Sequence, residues 1–171
     1  MNLIYKLFLT INSTLWVVVI YGIKEEWTVS TLPSWVSGII LLFVPVILSA
    51  ISILFTLLLG KDNLKTCGML EEANSSFLPT YLGYFFVGLG VEKYQHLIFV
   101  YLVIFIFTYV AQAQYYNPMY LLFGYRYYHA ETEQGTQVFL IVRKNLRKAS
   151  DAKFDNLRRI NDTTYIAWRD K

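Results

Sequence analysis

Residues 35–59 read WVSGIILLFVPVILSAISILFTLLL, twenty-five positions without a single charge. An α-helix rises about 1.5 Å per residue, so this stretch can cross the roughly 30 Å of hydrocarbon in a bilayer, with tilt to spare. Pro45 lies inside it and frees the carbonyl four residues earlier, so a kink is expected there. Ser49, Ser52 and Thr56 recur on roughly one face and suit contact with a neighbouring helix. The segment predicts an integral membrane protein of the all-α class.

Toward the N-terminus, Leu3 to Ile23 is a second apolar run, broken only by Lys6 and a few neutral polar residues. It is longer than the 7–15 apolar residues of a signal peptide, and no small-x-small cleavage site follows, so a retained helix is expected. Lys6, near its start, can snorkel to the headgroups. Toward the C-terminus, Phe77 to Val91 is shorter and more aromatic, with Pro79 near its beginning. Gly83 and Gly90 are seven residues apart and share a face where another helix could approach closely, although no GxxxG is present. A fourth run covers about 95–114, and the short link Glu92–His96 predicts an antiparallel helical hairpin. The expectation is thus a four-helix transmembrane domain over residues 1–116, with spans at about 3–23, 35–59, 77–91 and 95–114.

Composition agrees. Hydrophobic residues make up 56% of the chain and charged ones 16%, against about 25% charged in soluble domains. The mean hydropathy is +0.41. Beyond residue 114, ten cations stand against six acids, so the tail carries +4; before it, five cations against six acids give −1. With four spans, the N-terminus, the Lys61–Ser76 loop and the tail share one side, and the other side has only Lys24 and Lys93. The positive-inside rule then predicts a multi-pass membrane protein with both termini cytoplasmic.

Residues 117–171 form the second expected domain. Asn117-Pro118 breaks the fourth helix, and the aromatic passage to Tyr128 predicts that Met119–Phe123 lies at the membrane interface. Tyr125–Glu131 and Thr136–Arg143 read as a hairpin around Glu133-Gln134-Gly135. Ser150 can cap a helix through Ile160, with Phe154, Leu157 and Ile160 on one face, and Thr163–Trp168 reads as a third strand. A small cytoplasmic α+β unit of hairpin, helix and strand results, too small to be expected to stand alone.

No catalytic constellation is present: the chain has no glycine-rich phosphate loop, no GxSxG, no HExxH and no pair of intramembrane carboxylates. One cysteine, Cys67, and two distant histidines, His96 and His129, supply neither a disulfide within the chain nor a metal-ligand set. The reading is of a non-enzyme without cofactor or metal. Tyr101, Thr108, Gln112 and Tyr115 form a polar stripe on the fourth helix, whose ordinary use is interhelical hydrogen bonding. Gly83, Gly90, Thr108 and Gln112 are therefore the candidates for helix–helix packing. The strongest chemical feature is the basic tail, in which Arg143, Lys144, Arg147, Lys148, Arg158 and Arg159 are candidates for contact with a partner or with membrane lipid. Direct nucleic-acid binding is not expected from a net charge this small.

Four short spans followed by Asn117-Pro118-x-Tyr-Leu-Leu-Phe-Gly124-Tyr125-Arg126-Tyr127-Tyr128 and a small β-rich tail resemble the membrane subunit of the bacterial Kiwa antiphage system, KwaA. The likeness covers the whole architecture, with that stretch as its one local signature. It implies a membrane-embedded homo-oligomer, with a tetramer as the expectation, that senses infection at the inner membrane. It also implies a soluble Kiwa effector subunit as partner, a DNA-binding protein held at the membrane through the cytoplasmic side. The resemblance assigns no ligand residues. The alternative function is a small channel or membrane-disrupting effector with the fourth helix lining the opening.

Overall fold

Long apolar runs satisfy their own backbone groups as helices, and this governs the first part of the chain, where the helix Ser34–Phe55 continues through Pro45. The structure, a computed structural model, describes residues 3–64, 67–111, 117–132 and 134–167. Helix α1 spans Leu3–Lys24 and α2 spans Ser34–Phe55, continued by a 3-10 turn at Thr56–Leu58. Helices α3 (Leu78–Gly90), α4 (Tyr94–Ala111) and the short α5 (Pro118–Leu122) follow. Between the helices and after them lie strands β1 (Lys61–Leu64), β2 (Cys67–Glu72), β3 (Arg126–Thr132), β4 (Gln137–Val142), β5 (Phe154–Arg159) and β6 (Thr164–Ala167).

Among the described residues, three helices are long and apolar enough to cross a membrane: Leu3–Lys24, Ser34–Leu58 and Tyr94–Ala111. The expected third span falls short. Helix α3 has 13 residues, which is about 20 Å of helix, because Pro79 fixes its start and Gly90 ends it. A bundle of four full-length spans is therefore not what the helices display, and the chain is not all-α. The end expected for the fourth span, 112–114, lies outside the described residues.

The chain divides into two units. One comprises Leu3–Ile51 with Phe77–Met119; the other comprises Ser52–Ser76 with residues from Tyr120 on. The chain changes unit at 51/52, 76/77 and 119/120; the expected division at 116/117 lies near the last of these, and the expectation has no counterpart of the first two.

In the helix unit, α1 is central and packs on α3 and α4. Trp16, Val17, Tyr21, Tyr81, Tyr84 and Leu97 form its apolar core, with Trp16 and Tyr81 edge to face at 6.5 Å. The closest backbone approach is at Gly88, where a Cβ would lie 2.9 Å from Ile20 Cβ and 3.0 Å from the Val17 carbonyl. Polar side chains tie α1 to its neighbours as well. Asn12 Nδ2 donates to Ser49 Oγ at 3.0 Å, Asn117 Nδ2 donates to the same oxygen at 2.8 Å, and Thr14 Oγ1 donates to Tyr101 OH at 3.3 Å.

The sheet unit is larger than the tail predicts. Its six strands run in the order β1-β5-β6-β4-β3-β2, antiparallel except for the parallel pair β4–β6. Strands β1 and β2 come from the segment 61–76 expected to be a loop, and they occupy the two edges. A flat sheet would hold its outer strands about 24 Å apart, at about 4.8 Å per spacing. Only residues 65 and 66 separate β1 from β2 in sequence, and the three steps from Leu64 to Cys67 reach about 11 Å at most. The sheet is accordingly rolled toward closure, and one apolar cluster collects side chains from all six strands, among them Leu64, Leu70, Tyr128, Leu140, Phe154 and Ala167.

The expected helix from Ser150 to Ile160 is instead a 3-10 turn at Ala149–Asp151 followed by β5. Its helical spacing has a specific cause. Asp62 faces Leu157 and Leu64 faces Phe154, so the two residues Asp155 and Asn156 oppose the single Asn63. This bulge lets Phe154 and Leu157, three apart, both reach the core, where they are buried. The hairpin is present as β3 and β4, with Gly135 at φ +76° in its turn; Glu133 lies outside the described residues. The third strand is β6, and Trp168 lies outside them.

Candidate functional site

Three of the six candidate tail cations are used inside the sheet unit. Arg159 pairs with Asp162 at 2.7 Å and donates through Nε to the Asn161 carbonyl. Arg158, half-buried, donates through Nη1 to the Leu59 carbonyl at 3.0 Å, just after the 3-10 turn that ends α2. Arg143 is exposed, yet it is held in a similar way at another helix end. Its Nη2 donates to the Phe123 carbonyl at 3.0 Å, and its guanidinium lies 5.4 Å from the Tyr125 ring.

The helix end at Phe123 is built by a Schellman motif. Gly124 N–H donates to the Leu121 carbonyl and Tyr125 N–H to the Tyr120 carbonyl, with Gly124 at φ +79° and the rings of Tyr120 and Tyr125 6.0 Å apart. The motif satisfies two carbonyls and leaves that of Phe123 to Arg143. Burial raises the pKa of Tyr125, and the positive charge of Arg143 opposes the shift.

Lys144, Arg147 and Lys148 are exposed on the segment after β4. Asp151 accepts the backbone N–H groups of Arg147 and Lys148, which fixes the turn and leaves the two side chains pointing outward. Among the described residues, three ion pairs occur, Lys24–Glu25, Arg126–Glu72 and Arg159–Asp162, so of the six candidates only Arg159 has an acidic partner. The fold adds a seventh cation that sequence reasoning did not place here. Lys61 on β1 sits directly across from Arg158 on β5.

The candidates for helix packing divide differently. Thr108 meets Tyr84 OH at 3.1 Å and Tyr101 accepts from Thr14, so this part of the α4 stripe serves interhelical hydrogen bonds. Gln112 lies outside the described residues. A methyl group placed on Gly83 or Gly90 would meet nothing within 4 Å, so neither packs against another helix of its own chain. The close-packed glycine is Gly88, which sequence reasoning missed because α3 offers three glycines and only the partner helix selects one. Lys6 has its ammonium 4.1 Å from the centre of the Tyr109 ring, and Lys24 donates to the Val91 carbonyl at 2.7 Å.

The family model described as the anti-phage protein KwaA matches residues 5–166. The chain belongs to the KwaA family. The match runs from within α1 into β6. A comparison with curated proteins and with solved structures finds no match. As a KwaA-family protein the chain serves anti-phage defence within the Kiwa system.

Proposed function

We propose that this chain is a non-enzymatic inner-membrane sensor and scaffold, which holds a soluble DNA-binding Kiwa effector at the cytoplasmic face through its sheet unit. The observation that carries the reading is the pairing of two unlike units on one chain. Helices with exposed apolar flanks need a lipid solvent, and a rolled sheet with its own core can present a fixed surface to water. Arg147 and Lys148, exposed and without acidic partners among the described residues, are the cations offered to an acidic effector face. Complementary charge of this kind steers association and makes it sensitive to salt. Self-association would use the helix unit, where Gly83 and Gly90 remain open for another copy.

Removing the tail from Arg143 onward is a poor test, because it deletes β5 and β6, which pair with β1 and β4. Charge reversal is cleaner. Co-purification from membranes should recover the effector with the intact protein and lose most of it with R147E/K148E, while the variant remains membrane-inserted. Full retention by the variant would remove these cations from the interface.

The channel reading gains nothing from α4. Its two described polar side chains in the stripe turn to α1 and α3, and its exposed surface carries Phe99, Leu102, Ile106, Phe107 and Val110.

A further inference from the structure

The sheet unit has two places where a helix ends and a strand begins, and both are built alike. At the end of α2, Leu58 is 82% exposed, Leu59 gives its carbonyl to Arg158, and Lys61 follows two residues on. At the end of α5, Leu122 is 71% exposed, the next carbonyl, that of Phe123, accepts from Arg143, and Lys144 is that arginine's neighbour. Each exit thus pairs an exposed leucine with an arginine anchored on a backbone carbonyl and with a lysine beside it.

Two features of these exits need an occupant. Like charges directly opposite each other on neighbouring strands repel, and Lys61 faces Arg158 without a carboxylate partner for either among the described residues. A guanidinium has five N–H donors, and the contact to one carbonyl leaves donors free at both Arg143 and Arg158. An anion would relieve the repulsion and take those donors. The leucines narrow the kind of anion. Leu54, Leu57 and Leu58 are exposed on the α2 side and Leu122 on the other, so the partner must be apolar next to where it is charged. A soluble phosphate or an acidic peptide meets only half of that demand; a phospholipid meets both.

We propose that Lys61 with Arg158, and Arg143 with Lys144, form two headgroup sites for anionic phospholipid, with Leu58 and Leu122 entering the acyl boundary beside them. The proposal rests on reading α2 as a membrane span. Guanidinium held at a fixed point on the backbone can engage a phosphate with two parallel N–H donors, and the adjacent lysine adds a point charge. The sheet is then seated on the inner leaflet at both exits.

The test uses the full chain in nanodiscs of phosphatidylcholine, with and without phosphatidylglycerol. Lipid retained by the protein is read by native mass spectrometry. The intact protein should retain phosphatidylglycerol selectively. K61Q/R158Q and R143Q/K144Q should each lower that preference on the order of tenfold, since each basic residue near an anionic surface contributes about fivefold. R159Q, which removes a cation already paired with Asp162, should leave it unchanged. Because glutamine at Arg143 or Arg158 could disturb the fold, R143K and R158K serve as charge-preserving variants and should keep most of the preference. Unchanged selectivity in both double variants overturns the proposal. So does retention of inorganic phosphate by the intact protein in pure phosphatidylcholine discs that is lost in both double variants, which would mark a soluble-anion site. Extraction of the intact protein by alkaline carbonate is a separate outcome and would instead overturn the membrane reading itself.

Discussion

The helix unit and the sheet unit solve the problem of apolar surface in opposite ways. The apolar windows of α2 and α4 are only 17% and 11% buried within the chain, and α1 reaches 56% because it lies between partners. In β4, by contrast, Val138 through Val142 are all buried, and Leu140, Ile141 and Val142 are fully so. The first unit leaves its apolar side chains to an external solvent, and lipid is the solvent that suits them. The second makes its own interior. A substitution should therefore act through packing in the sheet interior, but in the helices only along the narrow seams of α1.

The largest effect should come from the sheet interior. Leu140→Ala removes a side chain with no exposure and should cost about 2–5 kcal/mol. Limited proteolysis should then cut the sheet strands at temperatures the intact protein survives. Leu102→Ala on α4, where the residue is 51% exposed, should change little in detergent. Equal losses at both positions would end the distinction between the units.

Next comes the helix seam. Gly88→Leu forces a branched side chain into the Val17 carbonyl and Ile20, and should cost about 1–3 kcal/mol or separate the helices. Gly83→Leu meets open space within the chain. It should leave the melting temperature of the detergent-solubilised monomer intact, while any oligomer band weakens if this face joins copies. A stable Gly88→Leu protein would mean that α1 and α3 do not pack this closely.

A smaller effect is expected at the exit turn. Gly124 has φ +79° and free space around its Cβ position, so Gly124→Ala carries only the conformational penalty, about 1–2 kcal/mol. Faster hydrogen exchange at Tyr125 N–H, which donates to Tyr120, would report the loosened cap.

The same contrast explains what could be read from the sequence. A helix closes its hydrogen bonds within a few residues, so α1, α2 and α4 are legible as apolar runs of sufficient length with few or no charges. The hairpin β3–β4 is legible for the same local reason. Strands β1 and β2 are not, because Lys61–Leu64 and Cys67–Glu72 become strands only through partners about 60–95 residues away in the chain, β3 and β5. In β5 the three-residue spacing of Phe154 and Leu157 imitates a helix, and only the register with β1 shows it to be a bulge. The basic cluster was visible as composition, but its division was not. Arg159 is spent on Asp162, Arg158 and Arg143 are fixed on helix ends, and Lys61 joins them from a segment that looked like a loop. The polar core of the helix unit, with Asn12 and Asn117 sharing Ser49 Oγ, also needs the fold to bring its members together.

The proposed function requires that the sheet unit face the cytosol, where a soluble effector can reach it. Cysteine accessibility tests this most directly, in a Cys67→Ser background that removes the native thiol. Thr31 lies in the exposed link between α1 and α2, and Gln134 lies in the exposed turn between β3 and β4. Spheroplasts carrying Thr31→Cys should react with a membrane-impermeant maleimide added outside, and those carrying Gln134→Cys should react only after lysis. Labelling of Gln134→Cys from outside, with Thr31→Cys protected, would place the sheet away from the cytosol and contradict the account.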